Sequence, residues 1–156
     1  MIRMSKLTDY GIVLLAHMAR GPIDLRRNAR NLAAESHLPV PTVSKILKML
    51  AREGLLVTHR GVKGGFSLAR RPENISMAQI ISAIEGPVTI TECSDDVPRI
   101  CTLEQWCPVG TNWQRINQAV REALENIKLS EMTCPLRADV VSLERAGKRL
   151  ESRPAL

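Results

Sequence analysis

A helical pattern followed directly by a glycine-rich hairpin pattern constrains the fold of this chain more than any other feature. Apolar side chains recur three and four residues apart, as on one face of an α-helix, at Val43, Ile46, Leu47 and Leu50. Gly54 ends this helix, and two short strands, about 56–60 and 66–69, flank Gly-Val-Lys-Gly-Gly at 61–65. The pattern predicts a fold that is mainly α with a small β-wing.

Two further helices precede this unit. Thr8 and Asp9 supply the start of the first helix, which is apolar on most sides, and the second helix covers about 28–36. A tight turn at 37–40 leads to the third helix, which starts at Pro41 because proline is tolerated in the first helical turn. Two helices joined by a tight turn and followed by a hairpin predict a winged helix-turn-helix.

Basic charge is concentrated in the N-terminal half. The net charge of the chain is +6, and residues 1–75 hold 13 Lys and Arg against 5 Asp and Glu, a net of +8. Residues 76–156 hold 9 against 11, a net of −2. A basic winged helix suits the phosphate backbone of double-stranded DNA. The alternative is a small helical domain with a solvated charged face, which charge alone does not exclude.

The candidate DNA-binding residues lie on the polar face of the third helix and in the wing. They are Thr42, Ser44, Lys45, Lys48, Arg60 and Lys63. We expect Thr42, Ser44 and Lys45 near base edges in the major groove, because they are close to the helix N-terminus. Lys48 is expected on a phosphate, and Arg60 in the minor groove, where a narrow A·T-rich stretch attracts arginine. Lys63 is expected to reach a phosphate or the minor groove from the wing.

Three cysteines, Cys93, Cys101 and Cys107, lie in one short acidic stretch, and the chain has only one other, Cys134. The N-terminus lacks a signal-peptide pattern and no run of 18 apolar residues could span a membrane, so a cytoplasmic protein is expected. Thiols are kept reduced there, which favours metal ligands or sensors over disulfides. The spacing lacks the close Cys-x-x-Cys pairs of ordinary zinc sites, but a structural zinc and a metal-free thiol sensor stay open.

A long helical pattern follows the cysteines, from Pro108 to about Leu129. Its apolar positions alternate at spacings of three and four, the seam of a coiled coil, at Trp113, Ile116, Val120, Ala123 and Ile127. This seam predicts a homodimer, although the same face could pack on its own N-terminal domain, and some of both is expected. The predicted organisation is a winged-helix domain at 1–133 followed by a tail at 134–156. The domain has three parts: a DNA-binding part at 1–75, a connector helix capped by Ser76 with a cysteine loop at 76–107, and a dimerisation helix at 108–133.

Enzymatic chemistry is not indicated. The sequence contains no recognisable nucleophile–base set and no phosphate-cradling loop, and the pair Gly64-Gly65 belongs to a hairpin rather than to a strand-to-helix turn. We therefore expect no small-molecule substrate.

Several segments resemble the Rrf-type winged-helix transcriptional regulators, a family that includes IscR and NsrR. The similar segments are Met-Ser-Lys-Leu-Thr-Asp-Tyr-Gly at 4–11, Val-Ser-Lys-Ile-Leu at 43–47 and Arg-Gly-Val-Lys-Gly-Gly-Phe at 60–66. The resemblance covers roughly residues 1–133, and the opening sequence and spacing look closest to regulators of the SUF iron–sulfur assembly genes. The wing motif and the three cysteines are its most specific parts.

The resemblance implies a cofactor. In cluster-binding members of the family three cysteines of this segment hold an iron–sulfur cluster, and the matching positions here are Cys93, Cys101 and Cys107. Thiolates suit such clusters because they are soft, negatively charged donors. A two-iron two-sulfur cluster is favoured, and a four-iron four-sulfur cluster is possible.

One departure from the family pattern leaves the fourth ligand open. IscR-like members have a histidine three residues after the third cysteine, where this chain has Gly110. The candidates are Asp9 of the partner subunit, Cys134, Asp95, Asp96 and Glu104. Each has another interpretation: Asp9 as a helix cap, Cys134 as a buried small residue, and the other acids as solvated loop residues.

The resemblance implies a cytoplasmic, homodimeric, DNA-binding regulator that depends on an iron–sulfur cluster and represses iron–sulfur assembly genes such as a SUF operon. A repressor that senses nitric oxide or redox state on the same scaffold is the alternative. An iron–sulfur carrier or scaffold protein is a third interpretation, and the basic face of the third helix argues against it.

Overall fold

The structure, a computed structural model, describes residues 3–90 and 107–133. Within these ranges the chain forms six α-helices, one short 3-10 helix and one two-stranded sheet, which confirms the predicted fold class. The elements are α1 Lys6–Ala19, α2 Ala29–Ser36, α3 Val40–Arg52, β1 Leu56–His59, β2 Gly65–Leu68, the 3-10 helix Pro72–Asn74, α4 Met77–Glu85, α5 Gly110–Asn126 and α6 Leu129–Thr133.

Helix α1 begins earlier than predicted. Ser5 is its N-cap, and its hydroxyl accepts a hydrogen bond of 3.3 Å from the amide of Thr8. Thr8 is fully buried, while Asp9 lies exposed in the first turn. The prediction that Thr8 and Asp9 start the helix, with Asp9 as a cap, was therefore wrong, because a serine hydroxyl three residues before Thr8 satisfies the free amide.

Helices α2 and α3 form the helix-turn-helix. Asn28 caps α2 by accepting a hydrogen bond of 2.8 Å from the amide of Asn31. His37 then adopts a left-handed conformation with φ of 55°, which turns the chain toward α3. Helix α3 begins at Val40, one residue before the predicted Pro41, and no side chain among the described residues caps it. Its predicted apolar stripe is confirmed, since all four side chains are fully buried.

The wing is an antiparallel hairpin in which Leu56 faces Leu68 and His59 faces Gly65. Strand β1 ends at His59, one residue before its predicted end, and β2 begins at Gly65, one residue before its predicted start. Arg60 therefore lies in the connecting segment rather than in the strand.

One hydrophobic core joins the described elements. Its fully buried members come from α1, α2, α3, the residue before β1, the residue two before α4, α4 itself and α6. The largest are Leu14, Leu15, Leu32, Ile46, Leu47, Leu50, Leu55, Ile75, Ile80 and Leu129. Leucine and isoleucine fill this core in a chain with one Phe, one Tyr and two Trp.

The C-terminal helical pattern divides into two helices. Helix α5 stops before Ile127, whose backbone is extended with ψ of 123°. The carbonyl of Ile127 accepts a hydrogen bond of 2.9 Å from the amide of Met77, and the amide of Leu129 donates one of 2.9 Å to Ile75. The prediction of one helix from Pro108 to Leu129 was wrong, because these distant backbone bonds and the burial of Leu129 outweigh the local helical pattern. Ile127, the last position of the predicted seam, is thus outside α5.

None of the helices in the described ranges has both the length and the apolar character that crossing a membrane requires.

Candidate DNA interface and cysteine site

Helix α3 presents its basic residues away from the core. With about 100° between successive residues, Lys45, Lys48 and Arg52 lie on the side opposite the buried stripe, and all three are exposed. Thr42 and Ser44 lie at the two margins of this exposed face and are half-buried. The structure therefore places the candidates of this helix on one continuous surface, as a recognition helix requires.

The arginines at the start of α2 have different environments. Arg27 is partly buried and its guanidinium binds the carboxylate of Glu35. Arg26 and Arg30 are exposed and form no ion pair with the described residues. Because the first helix of a helix-turn-helix crosses the DNA backbone, these two are further candidates for phosphate contacts. The sequence pattern does not distinguish these two arginines from Arg27, because the difference lies in the ion pair of Arg27 with Glu35.

The tip of the wing is a tight turn. The amide of Gly64 donates a hydrogen bond of 2.9 Å to the carbonyl of Gly61, so Val62 and Lys63 occupy the two corner positions. A β-carbon on Gly64 would lie 2.8 Å from that same carbonyl oxygen, which real side chains do not tolerate. Lys63 and the preceding Arg60 are both exposed, so the predicted basic contacts of the wing are accessible.

The base of the wing is anchored to the body of the domain. Arg27 and Phe66 exchange two backbone hydrogen bonds of 2.9 Å, so the segment before α2 pairs with β2 through an isolated antiparallel bridge. Gly65 has φ of 150°, and a β-carbon there would lie 2.6 Å from the carbonyl oxygen of Arg27. Inside the hairpin, Nε2 of His59 lies 2.9 Å from Oγ of Ser67. The wing is thus held in a fixed orientation.

Of the three cysteines predicted to hold a cluster, the structure describes Cys107. Its thiol is free and partly buried, and it lies three residues before the first residue of α5. Cys93 and Cys101 lie outside the described residues, as do the fourth-ligand candidates Asp95, Asp96, Glu104 and Cys134. Asp9, the remaining candidate, is exposed in the first turn of α1 and makes no hydrogen bond or ion pair with its side chain in the described part of the chain.

Gly110 lies beside Cys107. A β-carbon built on Gly110 would be 4.0 Å from the β-carbon of Cys107, so a side chain at this position would project next to the thiol. The histidine that the family resemblance places here would therefore be a neighbour of the third cysteine. In this chain position 110 carries no side chain.

Residues 3–90 and 107–133 contain no group of three or more His, Cys, Asp or Glu side chains close enough to hold a metal ion. A cluster site would thus depend on Cys93 and Cys101 as well as on Cys107. Three thiolates and one weaker donor match the ligand chemistry of iron–sulfur clusters, so the donor set fits that cofactor.

The end of α4, which leads toward the cysteines, is attached to α1. The Thr8 hydroxyl donates a hydrogen bond to Oε1 of Glu85, and the amide of Ser5 donates one of 2.8 Å to the same oxygen. The Thr8 hydroxyl, then the Ser5 amide, lower the pKa of Glu85 against the opposing effect of burial. Gly86, with φ of 91°, ends the helix directly after this contact.

A helix-turn-helix with an exposed basic helix face and an anchored basic hairpin defines a winged-helix DNA-binding protein. The chain belongs to the Rrf2 family, whose model is described as an iron-dependent transcriptional regulator and matches residues 4–135.

Individual relatives agree with this family. The transcriptional regulator NsrR of Halalkalibacterium halodurans is 26% identical over 131 residues, which cover 84% of this chain and 90% of the relative. The transcriptional regulator IscR of Aliivibrio salmonicida is 24% identical over 116 residues, 74% of this chain and 66% of the relative. The crystal structure of Staphylococcus aureus CymR has a TM-score of 0.62 and 27% identity, and the match covers 86% of this chain and 100% of that one.

These comparisons confirm the predicted family and the winged-helix fold. They also confirm that the protein is a transcriptional regulator rather than an enzyme, because the family and both sequence relatives are regulators.

Proposed function

We propose that this protein is a cytoplasmic, homodimeric repressor of iron–sulfur assembly genes, such as a SUF operon, whose operator binding depends on an iron–sulfur cluster. Cys93, Cys101 and Cys107 are its ligands, and a two-iron two-sulfur cluster is favoured. The observation that carries the proposal is the position of Cys107, a free thiol three residues before the first residue of α5. The description of the Rrf2 family as iron-dependent regulators supports it.

The chain's own residues suggest how ligand binding reaches the DNA interface. When bound, the iron of a cluster holds thiolates from distant positions of the chain together as its ligands. Fixing Cys107 orders the start of α5, and α5 packs on α4. Helix α4 is joined to α1 through Glu85 and Thr8 and also contacts α3, the recognition helix. Cluster binding would then change the distance between the two recognition helices of the proposed dimer. The size of this shift is limited by how much more tightly the cluster binds one arrangement of the dimer than the other.

The proposed dimer uses the outer face of α5. The inner face of this helix includes buried Asn117 and half-buried Leu124, which packs against the core. On the outer face, Ile116 is 46% exposed and Ala123 is exposed, while Trp113 and Val120 are half-buried. An apolar helical face that the described part of the chain does not cover suits a second copy of the chain. A two-fold dimer also suits palindromic operators.

The proposed DNA contacts follow the exposed basic surface. Thr42, Ser44 and Lys45 approach base edges, and Lys48 contacts a phosphate. Arg60 and Lys63 act from the wing, on the minor groove and on phosphates.

A metal-free, thiol-sensing repressor on the same scaffold is the second candidate. The observation that favours it is Gly110, which has no side chain to offer as a ligand beside Cys107. A nitric-oxide-responsive repressor would share the cluster and differ only in its signal.

The test is the absorption spectrum of anaerobically purified protein, with its iron, sulfide and zinc contents. We expect visible absorption, iron and sulfide, and we expect Cys93→Ala, Cys101→Ala and Cys107→Ala each to abolish them. Cys134→Ala tests the fourth ligand separately, because a loss of cluster in this variant would identify Cys134 as that ligand. Colourless protein that contains zinc or no metal would overturn the proposal of an iron–sulfur cluster.

The regulatory half of the proposal needs a second measurement. Binding to a promoter fragment of iron–sulfur assembly genes is compared between cluster-loaded protein and protein from which iron has been removed. We expect at least tenfold tighter binding by the loaded form. Equal binding by the two forms would leave a DNA-binding protein but exclude cluster-dependent repression.

A further inference from the structure

Val62 is the most exposed apolar side chain among the large apolar residues that the structure describes. Its relative exposure is 108%, whereas the others that are classed as exposed lie between 36% and 46%. It occupies a corner of the turn at the tip of the wing, next to Lys63. An apolar side chain that is fully hydrated in the free protein gains free energy wherever a partner removes it from water.

The turn presents Val62 in a fixed position. The hydrogen bond from Gly64 to Gly61 closes the turn, and the glycine at 64 admits no side chain. The base of the hairpin is held by the paired backbones of Arg27 and Phe66. Because little conformational freedom remains to be lost at the tip, a contact made by Val62 costs little ordering entropy.

The charge around Val62 identifies the partner. Residues 54–72 contain four Lys and Arg, namely Arg60, Lys63, Arg70 and Arg71, and no Asp or Glu. Arg60 and Lys63 are exposed on either side of Val62. An apolar tip between cations is complementary to a surface that combines phosphates with apolar groups, and the walls of a DNA minor groove, built of deoxyribose and phosphate, have this composition.

We infer that Val62 is an apolar contact to the deoxyribose walls of the minor groove, an inference that rests on the DNA docking in the proposed function but not on the cluster. Valine is short and branched at Cβ, so the side chain fills the groove between the sugars without separating base pairs. The contact depends on groove width and not on base identity. It adds affinity where the groove is narrow, and it releases no counterions.

The experiment measures operator affinity for Val62→Ser, Val62→Ile and Lys63→Ala over a range of salt concentrations. We expect Val62→Ser to weaken binding about fivefold to tenfold, with an unchanged slope of log affinity against log salt. Val62→Ile, which keeps an apolar side chain at the tip, should bind the operator with the affinity of the native chain. Lys63→Ala should instead flatten the slope by about one unit, as expected for a lost phosphate contact. Val57→Ser, which removes an exposed valine from strand β1 of the same hairpin, is the control and should bind as the native chain does.

Operator affinity that is the same for Val62→Ser and the native chain would overturn the inference. A Val62→Ser variant that changes the salt slope would overturn it as well, because the loss would then be electrostatic. An apolar tip between cations also suits an anionic membrane, so the variants are sedimented with vesicles of anionic phospholipid. Vesicle binding that requires Val62, together with DNA binding that does not, would assign the tip to a membrane.

The same titrations with iron-depleted protein separate this inference from the proposed function. If the cluster has no effect on the native chain but Val62→Ser still weakens binding, the cluster proposal fails and the wing contact stands. If the cluster tightens binding but Val62→Ser has no effect, the wing contact fails alone.

Discussion

The amide of Ile90 donates a hydrogen bond of 3.1 Å to the side-chain oxygen of Asn117, in the middle of α5. Asn117 is 6% exposed, so the acceptor is buried, while the bond as a whole is partly buried. Ile90 precedes the segment that carries Cys93 and Cys101, and α5 follows Cys107. This one side chain therefore fastens the two ends of the cysteine segment to each other.

Replacing Asn117 with Ala should loosen this connection. The amide of Ile90 would lose this partner, and we expect a destabilisation of about 1 kcal/mol, the usual net contribution of a hydrogen bond that is only partly buried. Urea unfolding monitored by circular dichroism measures it. Gln118→Ala is the control, because Gln118 is exposed and its hydrogen bond to Glu122 lies at the surface. Equal stability of the two variants would mean that the Ile90 bond contributes nothing.

The contact between Thr8 and Glu85 predicts a pH dependence of stability. The pKa of Glu85 is lower in the folded protein than its ordinary value of 4.5. Ionised Glu85 therefore contributes stability above about pH 4.5, and the contribution is lost as the pH falls through the folded-state pKa. Glu85→Gln should be less stable than the native chain at neutral pH. The difference in stability should shrink as the pH falls below about 4.5 and through the folded-state pKa of Glu85.

Unfolding midpoints between pH 3 and pH 7 test this prediction. Glu73→Gln removes an exposed carboxylate that makes no hydrogen bond or ion pair with the described residues, so it serves as the control. A difference between Glu85→Gln and the native chain that grows as the pH falls would contradict the expected sign.

Gly110→His should restore a ligand beside Cys107. The β-carbon position of Gly110 lies 4.0 Å from that of Cys107, and an imidazole is a good ligand for iron. We expect a changed visible spectrum and slower loss of iron to a chelator. Val109→His places the same imidazole one residue earlier and should leave both properties unchanged. Identical spectra for Gly110→His and the native chain would show that position 110 lies outside the environment of the proposed cluster.

Ile116→Asp should dissociate the proposed dimer. An unpaired carboxylate in the apolar face of α5 costs several kcal/mol when a second chain covers it. Sedimentation at micromolar concentration should show dimers for the native chain and monomers for the variant. Gln118→Asp introduces the same charge on another face of α5 and should remain dimeric. A native chain that sediments as a monomer would rule out this interface.

Lys48→Ala should weaken binding to operator and random DNA alike. Loss of one phosphate contact should flatten the slope of log affinity against log salt by about one unit. Lys128→Ala, a lysine of the C-terminal half whose ammonium binds the carbonyl of Glu125, is the control. An unchanged slope for Lys48→Ala would place this lysine away from the phosphates.

The sequence alone predicted elements whose pattern and contacts are local. The stripe from Val43 to Leu50 is buried as expected, and Ser76 caps α4 in a reciprocal pair with Gln79. The end of α5 could not be predicted, because Ile127 is drawn out of the helix by backbone bonds to a segment some fifty residues earlier. Leu129 enters the core for the same reason, and no local spacing indicates it.

The candidate site divides in the same way. Exposure of Lys45 and Lys48 follows from helical periodicity and is confirmed. The pairing of Arg27 with Glu35 depends on how the loop before α2 folds, so charge counting could not separate this arginine from Arg26. The role of the cysteines stays a prediction, because Cys93 and Cys101 lie outside the described residues.

The burial of Ile75 and Leu129 in the core that also holds Leu14 means that the DNA-reading and cysteine-proximal parts unfold together. Both side chains are 0% exposed, and the backbones beside them are paired. A fragment that ended at residue 75 would lack the residues of α4 and α6 that form one side of its hydrophobic core. Thermal denaturation should then be a single cooperative transition, and ligand binding near Cys107 should raise the melting temperature of the recognition helix along with that of α5.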